Sequence, residues 1–254
     1  MSKKEGGFNL PIGIIVNVSA IFFGGILGAL SGGAMSERFK EGLNMAFGIC
    51  SMTMGIYAIA PMKNLAAVIF AVIIGTGLGL LFRLGVLINR GAENMQRLIS
   101  RLLPSNKTGN GSWDKITYDA NLVTVIVLFC ASGTGIYGSL IEGMSGDPSI
   151  LISKAILDFF TALIFAANLG YVVSLIAIPL LIILTALLLA AHVIFPLTTP
   201  DMILDFKAGG GVLMLASGFR IIQVKMFPTA DMIPIMIVIM PISWLWTNVI
   251  LPLL

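Results

Sequence analysis

Long, uninterrupted apolar runs recur along this chain of 254 residues. About twenty consecutive apolar residues are what an α-helix needs to cross a bilayer. Charged residues make up only 11% of the chain, whereas soluble domains average roughly 25%, so the chain could not cover a globule with polar surface. The strands of a membrane barrel would alternate polar and apolar side chains, and these runs do not. The sequence therefore predicts an all-α polytopic membrane protein with one transmembrane domain over residues 1–254.

Eight spans are predicted from these runs. Their bounds are Pro11–Leu30, Leu43–Ala60, Leu65–Leu84, Asn121–Ile141, Ser149–Leu169, Tyr171–Phe195, Met202–Ile221 and Met232–Leu254. Only Asn168, Leu169 and Gly170 join the fifth span to the sixth, which predicts a tight helical hairpin at the centre of the chain. Pro234 and Pro241 interrupt the eighth span, and a proline inside a helix removes a backbone hydrogen bond. The eighth span is therefore a candidate for a break.

Residues 85–118 are predicted to be an amphipathic helix followed by a flexible linker. Apolar residues from Leu84 to Leu102 recur at helical spacing with arginines between them, and Pro104 ends the pattern. The segment carries five positive residues: Arg90, Arg97, Arg101, Lys107 and Lys115. Because positive loops stay in the cytoplasm, we expect the segment to be cytoplasmic and both termini to be extracytoplasmic. Lys3 and Lys4 argue for the opposite orientation of the first span.

A weak internal repeat relates spans 2 and 3 to spans 7 and 8. The matches are Phe39-Lys40 with Phe206-Lys207, Gly48 and Gly55 with Gly211 and Gly218, and Ala60-Pro61 with Phe227-Pro228. The copies are an odd number of spans apart, so they would be inverted in the membrane. Adding spans 1 and 6 gives two three-helix units around the central hairpin, a design that recurs in transporters. Chance similarity among glycine-rich helices is the alternative.

Lys154 and Asp158 form the most informative pair of charges, because both lie well inside the fifth span. At 1.5 Å per residue from the helix start, Asp158 is expected near the middle of the bilayer. A charge at that depth costs about 3 kcal/mol on insertion scales, so it marks either a function or a specific pairing. In the functional interpretation, Asp158 binds a coupling Na⁺ or H⁺ and Lys154 is its counter-charge. In the structural interpretation, the two residues neutralise each other on one helix face and are inert.

Four further residues complete the set of candidate binding residues. Asp147 precedes Pro148 at the opening of the fifth span, which is typical of a helix cap and also of an anion site. Asn17 is the best polar candidate of the first span. Ser132 and Thr134 stand in a glycine-rich stretch of the fourth span that could unwind and expose carbonyl groups to an ion. Glu142 is expected to be a solvated charge.

Other functional classes have less support. The single histidine, His192, has no carboxylate beside it, and the two cysteines have no metal-ligand spacing. The sequence thus predicts neither an enzyme nor a metal site nor a cofactor. Its basic residues cluster at membrane edges, which does not indicate nucleic-acid binding. The expected partners are membrane lipids and a small solute or ion, and the glycine-lined helix faces would suit a homodimer.

Two stretches carry a resemblance to a known family: PIGIIVNVSAIFFGGILGALSGG at the N-terminus and GIYGSLIEGMSGDPSILISKAILDF in the centre. The chain resembles the bacterial domain-of-unknown-function family 554 over almost its whole length. The matching positions are Gly138, Gly146, Asp147, Lys154 and Asp158. The resemblance implies a multi-span protein of the bacterial plasma (inner) membrane. It implies no activity, because the family is named for lacking one.

The function predicted from these residues is secondary transport of a small solute or ion. An ion channel is the first alternative, and it would need a continuous or oligomeric pore. The second is a scaffold or regulator that does not transport and recruits partners through the basic amphipathic helix.

Overall fold

The computed structural model describes residues 10–31, 36–102 and 115–253. Every regular element in these ranges is helical, and the all-α prediction is confirmed. Seven helices are long and apolar enough to cross a membrane, or eight if one bent pair counts as a span. The α-helices are α1 Ile12–Ser31, α2 Glu37–Ile59, α3 Leu65–Leu81, α4 Leu84–Leu102, α5 Lys115–Cys130, α6 Gly133–Ser145, α7 Ser149–Leu169, α8 Val172–Leu175, α9 Ala177–Ile194, α10 Pro200–Ile221 and α11 Ile235–Leu245.

Three predicted spans are interrupted. The fourth is divided into α5 and α6 at Ala131 and Ser132, where the Ser132 hydroxyl accepts a hydrogen bond from the backbone N–H of Gly135 and starts α6. The sixth begins with α8, one turn long, before α9. The eighth begins late, because turns precede Pro234 and α11 starts just after it. Pro241 lies inside α11 without ending it, and a π-helical segment follows over Trp246–Ile250.

The amphipathic segment forms α4, as predicted, but it does not stand apart from the bundle. The axes of α3 and α4 meet at an angle of 59°. Ala92 and Ile99 of α4 are buried in a core shared with α5, and Gln96 donates a hydrogen bond of 2.8 Å to Asp119 of α5. One part of the apolar face of α4 is thus covered by protein, whereas Leu87 and Leu98 are exposed. The linker predicted to follow it falls on residues 103–114, which lie outside the described ranges.

Buried apolar side chains form two cores. The first is built mainly by α1, α5, α7, α8 and α9, and the second mainly by α2, α3, α6, α10 and α11. Hairpin α6–α7 connects the two, since α6 contributes to the second core and most of α7 to the first. Its turn contains Gly146, whose φ of 70° favours glycine because a Cβ would be crowded there. The helices that carry the candidate site therefore lie where the two cores meet.

The contact between α2 and α10 is reciprocal. A methyl group on Gly55 would lie 2.7 Å from the carbonyl oxygen of Gly211, and one on Gly211 would lie 2.6 Å from that of Gly55. Gly48 and Gly218 approach in the same way, at 2.9 and 2.7 Å. An offset of 163 residues relates Gly48 to Gly211 and Gly55 to Gly218. The offset therefore relates the two contacts: Gly55 and Gly211 of the first correspond to Gly218 and Gly48 of the second.

The same offset relates other features of the two units. Ser36, the cap of α2, and Thr199, the cap of α10, are 163 residues apart. The last residues of α1 and α9, Ser31 and Ile194, have the same separation. The Phe-Lys and Ala/Phe-Pro matches imply an offset of 167, one helical turn away, so they do not belong to this relation. The starts of α3 and α11 do not keep the offset either. Over whole three-helix units the inverted repeat stays a prediction.

Candidate functional site

Lys154 and Asp158 form an ion pair within α7, between Lys154 Nζ and Asp158 Oδ2. Their side chains are 4% and 11% exposed, so water screens the pair little. The helix spans Ser149–Leu169, which places Asp158 beside its middle residue. The depth of the pair within the bilayer stays a prediction.

Asn17 of α1 completes a cluster of three polar side chains. Its Nδ2 donates a hydrogen bond of 2.7 Å to Asp158 Oδ2, the same oxygen that pairs with Lys154. This contact depends on close packing of α1 on α7. Methyl groups on Gly24 and Gly28 would collide with the α7 carbonyl oxygens of Phe159 and Leu163, so only glycine lets the two backbones come this close.

The break between α5 and α6 lies beside Lys154. The Phe129 ring of α5 has its centroid 5.9 Å from Lys154 Nζ, within reach of a cation–π interaction. On α6, a methyl group on Gly135 would be 3.3 Å from Lys154 Cε. Ser132 and Thr134, the other predicted residues, flank this position at the start of α6. The interruption that the glycine-rich stretch suggested therefore occurs next to the charged pair.

Asp147 lies away from this cluster. Its Oδ1 accepts a hydrogen bond of 3.0 Å from the backbone N–H of Ser149, the first residue of α7, whereas Pro148 stands at the cap position. Hydrogen bonding from the Ser149 side chain is the largest cause that lowers the pKa of Asp147, with smaller contributions from the Ser149 backbone and Lys207. Asp158 lies eleven positions further along the chain, roughly 16 Å at 1.5 Å per residue. Asp147 therefore belongs to one end of the bundle.

The expectation that Glu142 is solvated is wrong. Glu142 belongs to α6, and its side chain is buried. Its two carboxylate oxygens accept hydrogen bonds from the backbone N–H groups of Gly13 and Ile14, at 2.7 and 3.2 Å. These are among the N–H groups at the start of α1 that have no partner within their own helix. A carboxylate there also offsets the positive end of the helix dipole. The signal could not be seen in the sequence, because donor and acceptor are about 130 residues apart.

Two more carboxylates hold helix starts together in the same way. Asp205 of α10, fully buried, accepts hydrogen bonds from the backbone N–H groups of Lys63 and Asn64 before α3, and from the Ser243 hydroxyl of α11. Asp231 accepts one from the backbone N–H of Gly85 in α4. Lys154 and Asp158 are therefore not the only buried charges among the described residues, since Asp205 and Glu142 are buried too.

Four buried side-chain oxygens have no hydrogen-bond partner among the described residues: Asn17 Oδ1, Thr76 Oγ1, Ser139 Oγ and Ser174 Oγ. Asn17 and Ser139 are fully buried, and Asn17 belongs to the polar cluster. Buried polar atoms in proteins are nearly always bonded to protein or to ordered water. Within the described ranges, no group of three or more His, Cys, Asp or Glu side chains is placed to hold a metal ion.

Comparison with known proteins gives a consistent set of relatives. The model of a family described as "Protein of unknown function (DUF554)" matches residues 12–244. The "Uncharacterized protein YqgA" of Escherichia coli (strain K12) is 45% identical over 240 residues, which cover 94% of this chain and 98% of that protein. The "Uncharacterized membrane protein YdfK" of Bacillus subtilis (strain 168) is 25% identical over 226 residues, covering 89% and 93%. No solved structure matches the chain.

Proposed function

The chain belongs to the DUF554 family of proteins of unknown function, and we propose that this membrane protein is a secondary transporter of a small solute or ion. In this proposal Asp158 takes the coupling ion and Lys154 acts as its counter-charge. The protein is not an enzyme, and its partners are membrane lipids and the transported solute. It lies in the bacterial plasma (inner) membrane with both termini outside.

One observation carries the proposal: a buried Lys154–Asp158 pair at the middle of a spanning helix, bonded to Asn17 and lying beside a broken helix. Ionisable groups inside spanning segments commonly mark ion or substrate pathways. Transporter sites commonly lie near the bilayer midplane at discontinuous helices. An inert pair would not need the helix break next to it.

The test begins with the purified protein, because the solute is unknown. Its thermal stability is screened against cations, amino acids and carboxylates, and any stabilising compound is then followed into proteoliposomes. We expect Asp158→Asn to abolish both uptake and stabilisation. Asp201→Asn, at the start of α10, is the matched control and should leave both unchanged. If Asp158→Asn alters neither uptake nor stabilisation, the transporter proposal is wrong.

The two alternatives predict different results. A channel would give conductance in a planar bilayer far above the turnover of a carrier. A scaffold that acts through α4 would lose its function on deletion of residues 86–112 while tolerating Asp158→Asn. Ala92 and Ile99 of α4 are buried against the bundle, so a partner would bind the exposed part of α4, which carries Arg90, Arg97 and Arg101.

A further inference from the structure

We propose that Asn17 Oδ1 and Ser139 Oγ line a water site through which protons reach Asp158, along the seam where α1 meets α6 and α7. The proposal deepens the proposed function, because it makes the coupling ion a proton. The role of Asp158 in this proposal rests on the proposed transporter function. The water site does not, and it can be tested without any transported solute.

The first step is that both oxygens lack a partner although both residues are fully buried. Asn17 is held in place by its other end, since Nδ2 donates to Asp158 Oδ2. Its Oδ1 is therefore a fixed acceptor next to the charged pair. Ser139 carries a hydroxyl, which both donates and accepts. Water is the ligand that suits a buried carbonyl oxygen and a buried hydroxyl without partners, because it can donate to one and exchange hydrogen bonds with the other.

The second step is the register of the helices. Gly13 of α1 contacts both Glu142 of α6 and Leu151 of α7. Asn17 lies one turn further along α1. Ser139 lies three residues before Glu142, on nearly the same face of α6.

The third step is the direction of the chains. α1 and α7 run in the same direction, because Gly13 meets Leu151 and the later Gly24 meets Phe159. α6 runs opposite to α7, because Gly138 lies against Leu151 and the earlier Gly135 against Lys154. Along the bundle axis, Asn17 is therefore closer to Asp158 than Gly13 is, and Ser139 is closer to it than Glu142 is. The two unpaired oxygens lie between the Glu142 end of the seam and the charged pair.

The fourth step concerns the ion. Asp158 Oδ2 already accepts from Asn17 and pairs with Lys154. A metal cation bound there would have to displace an ammonium group of the same charge. A proton needs no displacement: hydronium gives its proton to the Asp158 carboxylate and leaves as water, and the pair changes from neutral to a charge of +1.

Few other groups can titrate around the pair. Among the described residues of the helices packed on α7, Cys130 of α5 interacts electrostatically with both Lys154 and Asp158, and Glu142 of α6 stands at the end of the seam. The residues that face α7 from α1 and α2 include Asn17 and Phe47, which do not titrate.

The experiment measures water access to Ser139. Cys50 and Cys130 are first replaced by alanine, and Ser139→Cys is introduced as a nearly isosteric probe. Membranes are treated with a small, charged thiosulfonate, and modification is followed by mass spectrometry. Leu140→Cys is the matched control, since Leu140 is the next residue of α6 and is buried in the second core. We expect Ser139→Cys to react at least about ten times faster, because thiol reactivity follows access to water.

Each outcome decides the proposal. Equal rates at the two positions, or no reaction at Ser139→Cys in protein that elutes as a folded species, would overturn it. Should Ser139→Cys not fold, Asn17→Cys is tested against the same control under the same criterion. Protection of the probe by Na⁺, but not by K⁺ at the same pH, would overturn the assignment to protons. A reactive Ser139→Cys together with a silent Asp158→Asn would refute the transporter and leave the water site standing.

Discussion

Lys154 and Asp158 stabilise each other only as a pair. Removing one partner of a buried ion pair leaves an uncompensated charge and typically costs about 3–5 kcal/mol. We therefore expect Lys154→Met to lower the free energy of unfolding in detergent by about 3 kcal/mol, as measured by chemical denaturation. The double variant with Asp158→Asn should recover most of this loss, because it buries no charge and keeps an oxygen for Asn17 Nδ2.

The same variants separate structure from function. If the pair is inert, the double variant should be stable and should transport at the normal rate. If Asp158 takes the coupling ion, the double variant should be stable and inactive. A double variant no more stable than Lys154→Met would show that the buried charge is not what destabilises the single variant.

Asp147 provides a pH-dependent contribution at the start of α7. Its folded pKa is lowered, chiefly by hydrogen bonding from Ser149, so its stabilising effect is present above the unfolded pKa of about 3.9. The effect is lost as the pH falls through the folded pKa. We expect wild type to exceed Asp147→Asn in stability by about 0.5 kcal/mol at neutral pH, the size of a charge–dipole interaction at a helix start. Thermal unfolding of both proteins across the acid range should show this difference shrinking; a difference independent of pH would contradict it.

Individual residues differ in how far the sequence predicted them. Lys154, Asp158 and Asn17 could be selected because polar side chains are costly inside apolar runs, whatever their neighbours. Glu142 and Ser139 could not, since their environments depend on how α1 packs against α6. Glu142 stands near a turn in the sequence, where a charge is ordinarily solvated, and only the fold brings the start of α1 to it.

At the scale of elements, glycines control how closely helices pack. Gly55 faces the backbone of Gly211 on α10, whereas Gly42 of the same helix has nothing within 4 Å of a Cβ. We expect Gly55→Ala to destabilise the protein by about 1–3 kcal/mol through overpacking. Gly42→Ala should be neutral or stabilising by up to about 1 kcal/mol, because alanine is the better helix former. Chemical denaturation of the two variants checks this.

The reciprocal contact sharpens this prediction. Because Gly211 meets Gly55 as Gly55 meets Gly211, Gly211→Ala should cost about as much as Gly55→Ala. Markedly unequal losses would contradict the local two-fold relation of α2 and α10. Equal losses alone would not extend the relation to α3 and α11, whose starts do not keep the offset.

The number of spans could be predicted from length and hydropathy, but the breaks within them only in part. Pro234 marks the start of α11, because proline ends an incoming helix or begins a new one. The glycine-rich stretch after Cys130 indicated a weak point, and the Ser132 cap fixes where α6 begins. The bend between α3 and α4 had no such signal. It occurs at Arg83, whose positive φ of 51° is unusual for a residue with a side chain.

At the scale of the molecule, internal carboxylates already occupy several helix starts. Glu142 accepts a hydrogen bond from the start of α1, Asp205 from the residue before α3, and Asp231 from α4. Helix starts of this kind are ready-made anion sites, so a solute anion would have to compete with the protein's own carboxylates. The start of α6, beside the polar cluster around Asp158, is capped by Ser132, and no carboxylate of the described residues is bonded to it.

The orientation of the whole bundle determines from which side Asp158 is reached. Glu142, Asp147 and Asp205 lie at one end, whereas Arg83 and Arg220 lie at the other, beside α4. By the preference of positive residues for the cytoplasm, the Glu142 end should face outward. We expect alkaline phosphatase fused after Leu254 to be active, and the same enzyme inserted within residues 103–114 to be inactive. Green fluorescent protein at the two positions should give the opposite pattern, which controls for expression. The reverse pattern would place the Glu142 end in the cytoplasm, and the proposed water path would then open to the inside of the cell.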